Sequence, residues 1–348
     1  MSRTVVVLGA TGEMGARVCR LVRRLAPTAL LIGANRSGRG HPELPIRKVE
    51  VGDHRALLEL LARADLVINA VGPYLYDPAP VVHAAISARC HYADLAERPE
   101  FIARVREVAD QRQAAKSAVV LVPGCSTTPG LVSALAQRWR REAAVARLTV
   151  HLSMGSRNPA TAGLLAGLLE PLGRPHAEGR WFDRLERHRT LDDRSLLFGS
   201  FPSALSDTGL ALGARAVPVR FGVGFDRAWI NRLLRTAAPG LGRLPSGTVR
   251  RLASGLRPLV SLARVLGTET GVLSLVAEDA AGSELGRLEV HAETQGLDIP
   301  ALPAAWLARA LVAEGWLAAP GVRGLERVLG AEAVIAALRE AGYTVRVR

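Results

Sequence analysis

The sequence predicts an α/β fold in which a doubly wound parallel sheet is interrupted by a second, α+β domain. Three observations support this prediction. A glycine-rich turn follows the first apolar run, strand and helix patterns alternate up to about residue 125, and the pattern changes after Val122. At 348 residues the chain is long enough for two domains.

The glycine-rich turn lies in residues 5–15, which read VVVLGATGEMG, and an amphipathic segment follows at 17–25. Gly9 permits a tight turn, Gly12 lets the backbone approach a pyrophosphate, and Gly15 lets the helix pack close to the strand. The helix N-terminus then offers its amides to the phosphates. This strand, turn and helix predict a Rossmann dinucleotide site with the following contact residues: Gly9, Thr11, Gly12, Glu13, Met14, Gly15, and after the fourth strand Ala70, Val71, Gly72 and Pro73.

The alternating part of the chain predicts six strands with helices between most of them. Right-handed crossovers would give the strand order 3-2-1-4-5-6, with a cofactor across the carboxyl ends of strands 1 and 4. The predicted strands are residues 4–8, 29–34, 46–51, 65–70, 91–95 and 118–122, and the predicted helices are 15–25, 54–63, 79–88 and 99–115.

A second domain is predicted from the later strands, which alternate or are rich in β-formers, and from a hairpin signal at residues 281–283. The strands are 146–154, 215–225, 271–279 and 285–294, with two helical stretches before the last two. Helices at 300–319 and 331–341 and a strand at 343–347 are expected to return to the first domain. We therefore predict a Rossmann domain of residues 1–126 plus about 301–348, and a substrate and dimerisation domain of residues 127–300.

The composition indicates a globular protein, with 49% hydrophobic residues. Polar or proline residues interrupt every apolar run before the roughly 18 residues that a membrane span needs. No signal peptide precedes the first strand, so a cytoplasmic location is expected. The three cysteines and eight histidines lack metal-ligand spacing, so neither disulfides nor a metal site is predicted.

The net charge of +13 is carried almost entirely by arginine. It is spread along a chain that has few aromatic residues for base stacking and no recognised binding module, so nucleic-acid binding is not predicted. Residues 227–267 differ, because they hold eight arginines, interspersed leucines and no acidic residue. This segment is typical of a contact with an acidic carrier protein, an anionic substrate or a membrane surface. The alternative is a set of covering or dimer-forming helices with solvated arginines.

The end of the second strand indicates which nicotinamide nucleotide binds. An NAD site usually places a carboxylate there for the ribose hydroxyls. This chain has Asn35, Arg36 and Ser37, which can hydrogen-bond a 2′-phosphate without repelling it. The sequence therefore favours NADP over NAD.

Several segments carry a family resemblance: GATGEMG at 9–15, NAVGPY at 69–74, CHYADL at 90–95, PGCSTTP at 123–129 and APGV at 319–322. In these segments the chain resembles the saccharopine dehydrogenase-like family of NAD(P)-dependent oxidoreductases. The resemblance implies a Rossmann domain interrupted by a second α/β domain, often in a homodimer. It leaves the substrate open between amino acids and lipid-like enoyl groups. Where the family's amino-acid reductases usually have Gly-Glu, this chain has Ala96-Glu97, which speaks against saccharopine itself as the substrate.

The candidate catalytic residues are Tyr74, Tyr92 and Asp94. Pro73 fixes the loop that presents Tyr74, and Tyr92 and Asp94 share one face at the end of the fifth strand. The alternatives are a packing tyrosine at 74 and a helix-capping role for Asp94. Amides of residues 125–128 are candidates for holding a substrate oxygen, whereas Cys125 has no apparent histidine partner as a nucleophile.

These residues predict an NADPH-dependent oxidoreductase that transfers hydride to a C=N, C=O or activated C=C bond of a small or carrier-bound substrate, in secondary metabolism. The proton would come from Tyr74, Tyr92 or water. Neither lysine stands in a Tyr-x-x-x-Lys pattern, which excludes short-chain dehydrogenase chemistry. The alternative is a non-catalytic NADP-sensing or interaction protein on the same fold.

Overall fold

The computed structural model describes residues 2–40, 44–112, 116–158, 161–206, 209–263, 266–315 and 319–348. The chain divides into two compact units. Unit 1 comprises Met1–Leu135 and Asp298–Ala331, and unit 2 comprises Ala136–Leu297 and Glu332–Arg348. Each unit is therefore built from two separate stretches of the chain.

Unit 1 contains a seven-stranded parallel sheet in the order β17-β6-β5-β4-β1-β2-β3. Numbered in chain order, the strands are β1 (Thr4–Leu8), β2 (Leu30–Asn35), β3 (Ile46–Lys48), β4 (Leu66–Asn69), β5 (His91–Asp94), β6 (Val120–Val122) and β17 (Gly321–Val322). The predicted order of the first six strands is confirmed. The seventh, β17, was not predicted, because two residues are too short a run for a strand pattern.

Helices link the strands of unit 1. They are α1 (Glu13–Leu25), α2 (His54–Leu61), α3 (Ala79–Ser87), α4 (Pro99–Gln111), the short α5 (Ser133–Ala136) and α9 (Leu302–Glu314). Every residue of β4 is buried, as is typical of a parallel strand covered on both faces. Residues 113–115, at the end of the predicted fourth helix, and 316–318, in the predicted 300–319 helix, lie outside the described residues.

The return segment of unit 1 is held by a buried carboxylate. Asp298 accepts hydrogen bonds from Arg17 at 2.7 Å and from Arg20 at 2.6 Å, both on α1. Helix α9, which follows Asp298, also packs against α1. Residues Gly296–Ala313 are long and apolar enough for a membrane span by composition, but 61% of this stretch is buried in the fold. Its apolar character is therefore accounted for by the core.

Unit 2 contains a seven-stranded mixed sheet in the order β10-β11-β14-β7-β15-β16-β18. Its strands are β7 (Arg147–Met154), β10 (Leu185–Arg189), β11 (Ser195–Ser200), β14 (Val219–Phe225), β15 (Gly271–Glu278), β16 (Glu284–Ala292) and β18 (Thr344–Val347). Strands β7 and β14 are parallel and the other neighbours are antiparallel. Two small hairpins accompany the sheet: β8 (Pro175–His176) with β9 (Gly179–Arg180), and β12 (Leu210–Leu212) with β13 (Arg215–Val217).

The helices of unit 2 are α6 (Ala162–Leu169), α7 (Ala228–Leu241), α8 (Ser246–Ala263) and α10 (Ala331–Glu340), whose first residue belongs to unit 1. Buried side chains of α6, α7 and α8 meet in one apolar cluster, which includes Leu165, Ala238 and Val249. The two helices predicted before the last strands correspond to α7 and α8.

Two predictions about strands are wrong. The last strand does not return to the first sheet, since β18 pairs with β16 and places Val345 opposite Val290 in unit 2. A short apolar strand carries no local signal for which sheet edge it will join. The predicted strand 215–225 is two strands, because Pro218 lacks the N–H that a continuous ladder requires.

We expect Asp298→Ala to lower the free energy of unfolding of unit 1 by about 2 kcal/mol, because two arginines lose a buried, charge-assisted acceptor. Denaturant unfolding followed by far-UV circular dichroism measures this change. The control is Glu59→Gln, which removes an exposed pair with Arg55 and should cost less than about 0.5 kcal/mol. Equal effects of the two substitutions would contradict the anchoring role of Asp298.

Candidate dinucleotide site

The glycine turn has the geometry that the sequence predicts. Gly9 adopts a φ of +74°, in the left-handed region, and its amide donates to the Ala34 carbonyl at 2.8 Å. A Cβ on Gly15 would collide with the carbonyl group of Gly9. A Cβ on Gly12 would lie 3.3 Å from the same oxygen, and Gly12 itself is exposed to solvent. Gly9 and Gly15 thus fix the turn, and Gly12 leaves its outer side free.

The N-terminus of α1 is open for an anion. Its N-cap is Gly12, and no side chain caps the helix. The first amides of a helix have no partner within the helix, so an uncapped start attracts a phosphate. The Glu13 carboxylate accepts from Arg17 at 2.6 Å, one turn along the helix, and this neutralises a charge that would repel the phosphate. The residues of this turn fit the pyrophosphate of a dinucleotide.

Asn35 organises the loop after β2. Its Nδ2 donates to Thr11 Oγ1 at 3.0 Å and to the Arg39 carbonyl at 2.7 Å. Its Oδ1 accepts from Ser37 Oγ at 3.1 Å and from the Gly38 amide at 2.7 Å. All hydrogen-bonding positions of the Asn35 amide are used, so Asn35 ties the loop to the glycine turn and has no donor left for a nucleotide.

Arg36 is exposed at the tip of this loop and makes no hydrogen bond or ion pair within the described part of the chain. No carboxylate occupies the loop between residues 35 and 40. Of the three residues predicted to bind the 2′-phosphate, Arg36 is therefore the free cation. Asn35 and Ser37 hold the backbone that presents it.

A buried asparagine joins the ends of β4 and β5. The Asn69 side chain donates to Tyr92 Oη at 3.3 Å and accepts from Tyr76 Oη at 3.0 Å. The backbone carbonyl oxygen of Asn69 accepts from Tyr74 Oη at 3.0 Å, and Tyr74 Oη in turn accepts from the Leu95 amide at 3.2 Å. We call Asn69, Tyr74, Tyr76 and Tyr92 the Asn69 cluster.

The two tyrosines predicted for catalysis belong to this cluster. Burial raises the pKa of Tyr74 and of Tyr92 well above the usual value. Tyr92 is fully buried, and Tyr74 has a φ of 58°, a costly conformation for a tyrosine that its two hydrogen bonds help to hold. Both hydroxyl groups thus stabilise the loops at the carboxyl end of the sheet.

Asp94 is fully buried at the end of β5. Its Oδ1 accepts from the amides of Ala96 and Gly124, both at 2.9 Å, and so connects β5 to the end of β6. Its Oδ2 has no hydrogen-bond partner among the described residues, although the Tyr92 hydroxyl lies near enough to lower the pKa of the carboxyl. Burial outweighs these effects and raises the pKa of Asp94 to about 6.

Glu97 binds one of the backbone amides of residues 125–128 that the sequence predicted to hold a substrate oxygen. Its Oε1 accepts from the Thr128 amide at 3.0 Å, at the start of a π-helical turn over Thr127–Val132. The neighbouring amides are also engaged, since Cys125 donates to the Asp94 carbonyl and Ser126 to the Gly124 carbonyl. The expectation that these amides hold a substrate oxygen is therefore wrong, because protein acceptors already fill them.

Glu97 differs from Asp94 in being an exposed residue. Desolvation of its carboxyl raises the pKa above the usual value, although hydrogen bonds from residues 126–128 oppose this shift. By contrast, Cys125 is fully buried and its pKa is raised, which fits the expectation that it is not a nucleophile.

Sequence reasoning missed the roles of Asn69, Tyr76 and Glu97. The available signal for Asn69 was a polar residue that ends an otherwise apolar strand. Tyr76 stands two residues after Tyr74 in the same loop. Glu97 carried no local signal, since its contact with residue 128 depends on the neighbouring strand ends.

The structure also groups three residues of metal-binding type in unit 2, which the sequence spacing did not indicate. Asp192, Glu289 and His291 have ligand atoms within 4.8 Å of one another. Arg194 Nε donates to Asp192 at 2.7 Å, and His291 Nε2 bonds Glu289 at 2.8 Å. The ligand atoms are thus already bonded within the protein, and the Arg194 guanidinium supplies a cation there.

Comparisons with known proteins agree with the cofactor site. Residues 5–122 match the family model described as the saccharopine dehydrogenase NADP binding domain. An Arabidopsis thaliana protein provisionally named a mitochondrial saccharopine dehydrogenase-like oxidoreductase is 26% identical over 44% of this chain and 38% of its own length. A Mycobacterium tuberculosis protein provisionally named a trans-acting enoyl reductase is 29% identical over 35% of this chain and 31% of its own length. The chain thus matches about a third of the length of these curated relatives.

We expect Gly15→Ala to weaken NADPH binding at least tenfold, because its Cβ would push the helix away from the Gly9 carbonyl and so move the phosphate site. Titration by nucleotide fluorescence measures the affinity. The control is Gly52→Ala, whose Cβ would meet nothing within 4 Å. Retained affinity in Gly15→Ala would show that the turn does not bind the nucleotide.

Among solved structures, saccharopine dehydrogenase (L-Glu forming) from Saccharomyces cerevisiae in its apo form has a TM-score of 0.63 at 14% identity. The match covers 100% of this chain and 99% of the yeast chain, so the two share a fold. The family resemblance is therefore confirmed over residues 5–122, which match the saccharopine dehydrogenase NADP binding domain, and the yeast structure shows the fold.

Proposed function

We propose that the protein is an NADPH-dependent oxidoreductase that transfers hydride to a C=N, C=O or activated C=C bond of a small or carrier-bound substrate. The observation that carries this proposal is the uncapped N-terminus of α1, set beside a loop that presents Arg36 and no carboxylate. The name of the mycobacterial relative supports an enoyl group as one candidate acceptor. The whole-chain likeness to the yeast enzyme supports the fold that this function needs.

NADPH would supply the hydride from its nicotinamide ring. The glycine turn and the α1 amides would hold its pyrophosphate, and Arg36 its 2′-phosphate. In a fold of this type the nicotinamide end lies beyond the carboxyl ends of the central strands. In this chain the Asn69 cluster, Asp94 and Glu97 stand at those strand ends.

Reduction also requires a proton, and we propose Glu97 as its source. The hydroxyl groups of Tyr74 and Tyr92 are engaged in the Asn69 cluster, and Asp94 is fully buried. Glu97 has a raised pKa, which favours the protonated acid, and an exposed side from which it can take up a proton again. Tyr74, Tyr92 and Asp94 would then position the loops around the reacting bond.

A non-catalytic NADP sensor is the second candidate. The internal hydrogen bonds of Tyr74 and Tyr92 and the burial of Asp94 favour it, since a sensor needs no proton donor. Tight NADPH binding without oxidation of NADPH by imines, ketones and enoyl thioesters would support the sensor. The cytoplasmic location and the homodimer stay predictions, and sedimentation velocity measures the second.

The cofactor assignment predicts that Arg36→Ala weakens NADPH binding by about tenfold to a hundredfold and leaves NADH binding unchanged, because only NADPH loses a charge-assisted bond. Fluorescence titration with both nucleotides measures this. Arg63→Ala removes another exposed arginine and should change neither affinity. An equal loss for both nucleotides would contradict the 2′-phosphate role.

For Glu97→Gln we expect kcat to fall by roughly a hundredfold with little change in KM, since glutamine keeps the acceptor for Thr128 but carries no transferable proton. The active form is the protonated acid, so wild-type kcat should fall as pH rises through the raised pKa of Glu97. The variant should lack this dependence. Glu100→Gln changes an exposed neighbour and serves as the control. An unchanged pH profile in Glu97→Gln would assign the proton to another group.

A further inference from the structure

The outer side of α7 exposes large apolar residues on one stripe. Trp229 is 45% exposed and Leu233 is 58% exposed. They stand four residues apart and so lie on the same face of the helix. Arg232, three residues after Trp229, flanks this face, and Arg235, three residues after Arg232, lies at the edge of the exposed side. The opposite face of α7 is buried through Asn231, Ala238 and Leu241, so this helix is anchored and its outer stripe is not part of the core of unit 2.

Leu266 adds another exposed apolar side chain near the start of the helix. Its carbonyl oxygen accepts from Arg227 Nε at 2.9 Å, which places its backbone beside the N-cap residue of α7. Its side chain is 65% exposed, and Leu266 and Leu233 are the two most exposed of the large hydrophobic residues that the structure describes. We call Trp229, Arg232, Leu233, Arg235 and Leu266 the α7 face.

Most arginines of this region lack acidic partners among the described residues. Arg250 bonds Glu170 at 3.3 Å, and Arg227 lies 3.8 Å from Asp226. The side chains of the remaining described arginines make no hydrogen bond or ion pair within the described ranges; they are Arg232, Arg235, Arg243, Arg251 and Arg257. Arg264 lies outside the described residues. Elsewhere in unit 2, Arg147, Arg189, Arg194 and Arg287 each pair with a carboxylate, whereas Arg184, Arg187 and Arg220 have no ion pair within the described ranges.

We propose that the α7 face docks unit 2 on an anionic lipid surface. Tryptophan and leucine gain free energy by entering the boundary between headgroups and acyl chains. Arginine guanidinium groups at the same depth bind lipid phosphates bidentately, and their positive charge attracts an anionic leaflet. The stripe combines both kinds of side chain on one anchored helix.

Charge argues against a second copy as the occupant, and shape argues against an acidic protein. In a twofold contact with a second copy, Arg232 and Arg235 would face their own equivalents without a carboxylate from the same segment. An acidic protein surface would pair with the arginines, but it would gain from Trp229, Leu233 and Leu266 only if it offered an apolar groove of matching shape. A lipid interface accepts the cationic and the apolar side chains together.

The test is co-sedimentation of the full chain with vesicles of phosphatidylcholine alone and of phosphatidylcholine with phosphatidylglycerol. We expect binding to the anionic vesicles only, and weaker binding as salt increases. Arg232→Glu with Arg235→Glu should lower the partition coefficient by at least about thirtyfold. Trp229→Ser with Leu233→Ser should lower it about tenfold or more with the charge unchanged.

The matched control reverses two exposed arginines of unit 1, Arg63→Glu with Arg106→Glu, and thus makes the same change in net charge. It should keep most of the vesicle binding. Circular dichroism and NADPH affinity confirm that each variant is folded, and the assay needs no turnover, so its outcome is independent of the proposed reaction.

Four results would overturn the proposal. Absence of binding to anionic vesicles would remove it directly, and an equal loss in the control would show an effect of net charge alone. The double variant Trp229→Ser with Leu233→Ser is also tested for binding to polyglutamate. If it still binds both polyglutamate and the vesicles, the apolar side chains are not needed, and an acidic protein is identified as the partner. Dissociation of a dimer by these variants, without vesicle binding, would identify a second copy.

Discussion

The cofactor end of unit 1 depends on buried hydrogen bonds that tie β4, β5 and β6 together at their carboxyl ends. Asn69 at the end of β4 holds three tyrosines, and Asp94 at the end of β5 holds the amides of Ala96 and Gly124. A buried polar group is costly unless it is bonded, so each of these side chains restricts its loop to one conformation. The floor of the candidate site is therefore set by side chains that face inward.

This arrangement changes which residues can carry chemistry. Residues that look reactive in the sequence at the strand ends, Tyr74, Tyr92 and Asp94, are engaged or enclosed by the loops they stabilise. Glu97 shares their neighbourhood but keeps an exposed side, and its bond to the Thr128 amide fixes its position. In the proposed reaction the proton donor must be held in place and must take up a proton again from solvent, and these two requirements are the grounds on which Glu97 is proposed.

The parts of the structure that follow from local patterns were predictable. Glycine spacing gave the turn at residues 9–15, since its constraints come from backbone geometry within seven residues. The order of six strands followed from alternation and crossover handedness. Three features were not predictable in this way. The sheet edge that β18 joins and the acceptors of the residue 125–128 amides depend on residues far apart in the chain. The lack of a free donor on Asn35 depends on how many hydrogen bonds its side chain makes in the folded loop. Local composition does not encode these features, so only the structure shows them.

The net charge of +13 includes arginines that are paired with carboxylates and arginines that are not. Arg17 and Arg20 form ion pairs with Asp298 and hold to unit 1 a segment that is distant in sequence, so the Asp298 carboxylate offsets part of their positive charge. Arg232 and Arg235 stand on an exposed helix face with no partner among the described residues. A paired arginine is weakly attracted to an external anion, because its carboxylate cancels the field at short range, whereas an unpaired one contributes its full charge. Recognition of an anionic surface should therefore follow the pairing state of each arginine rather than the total charge.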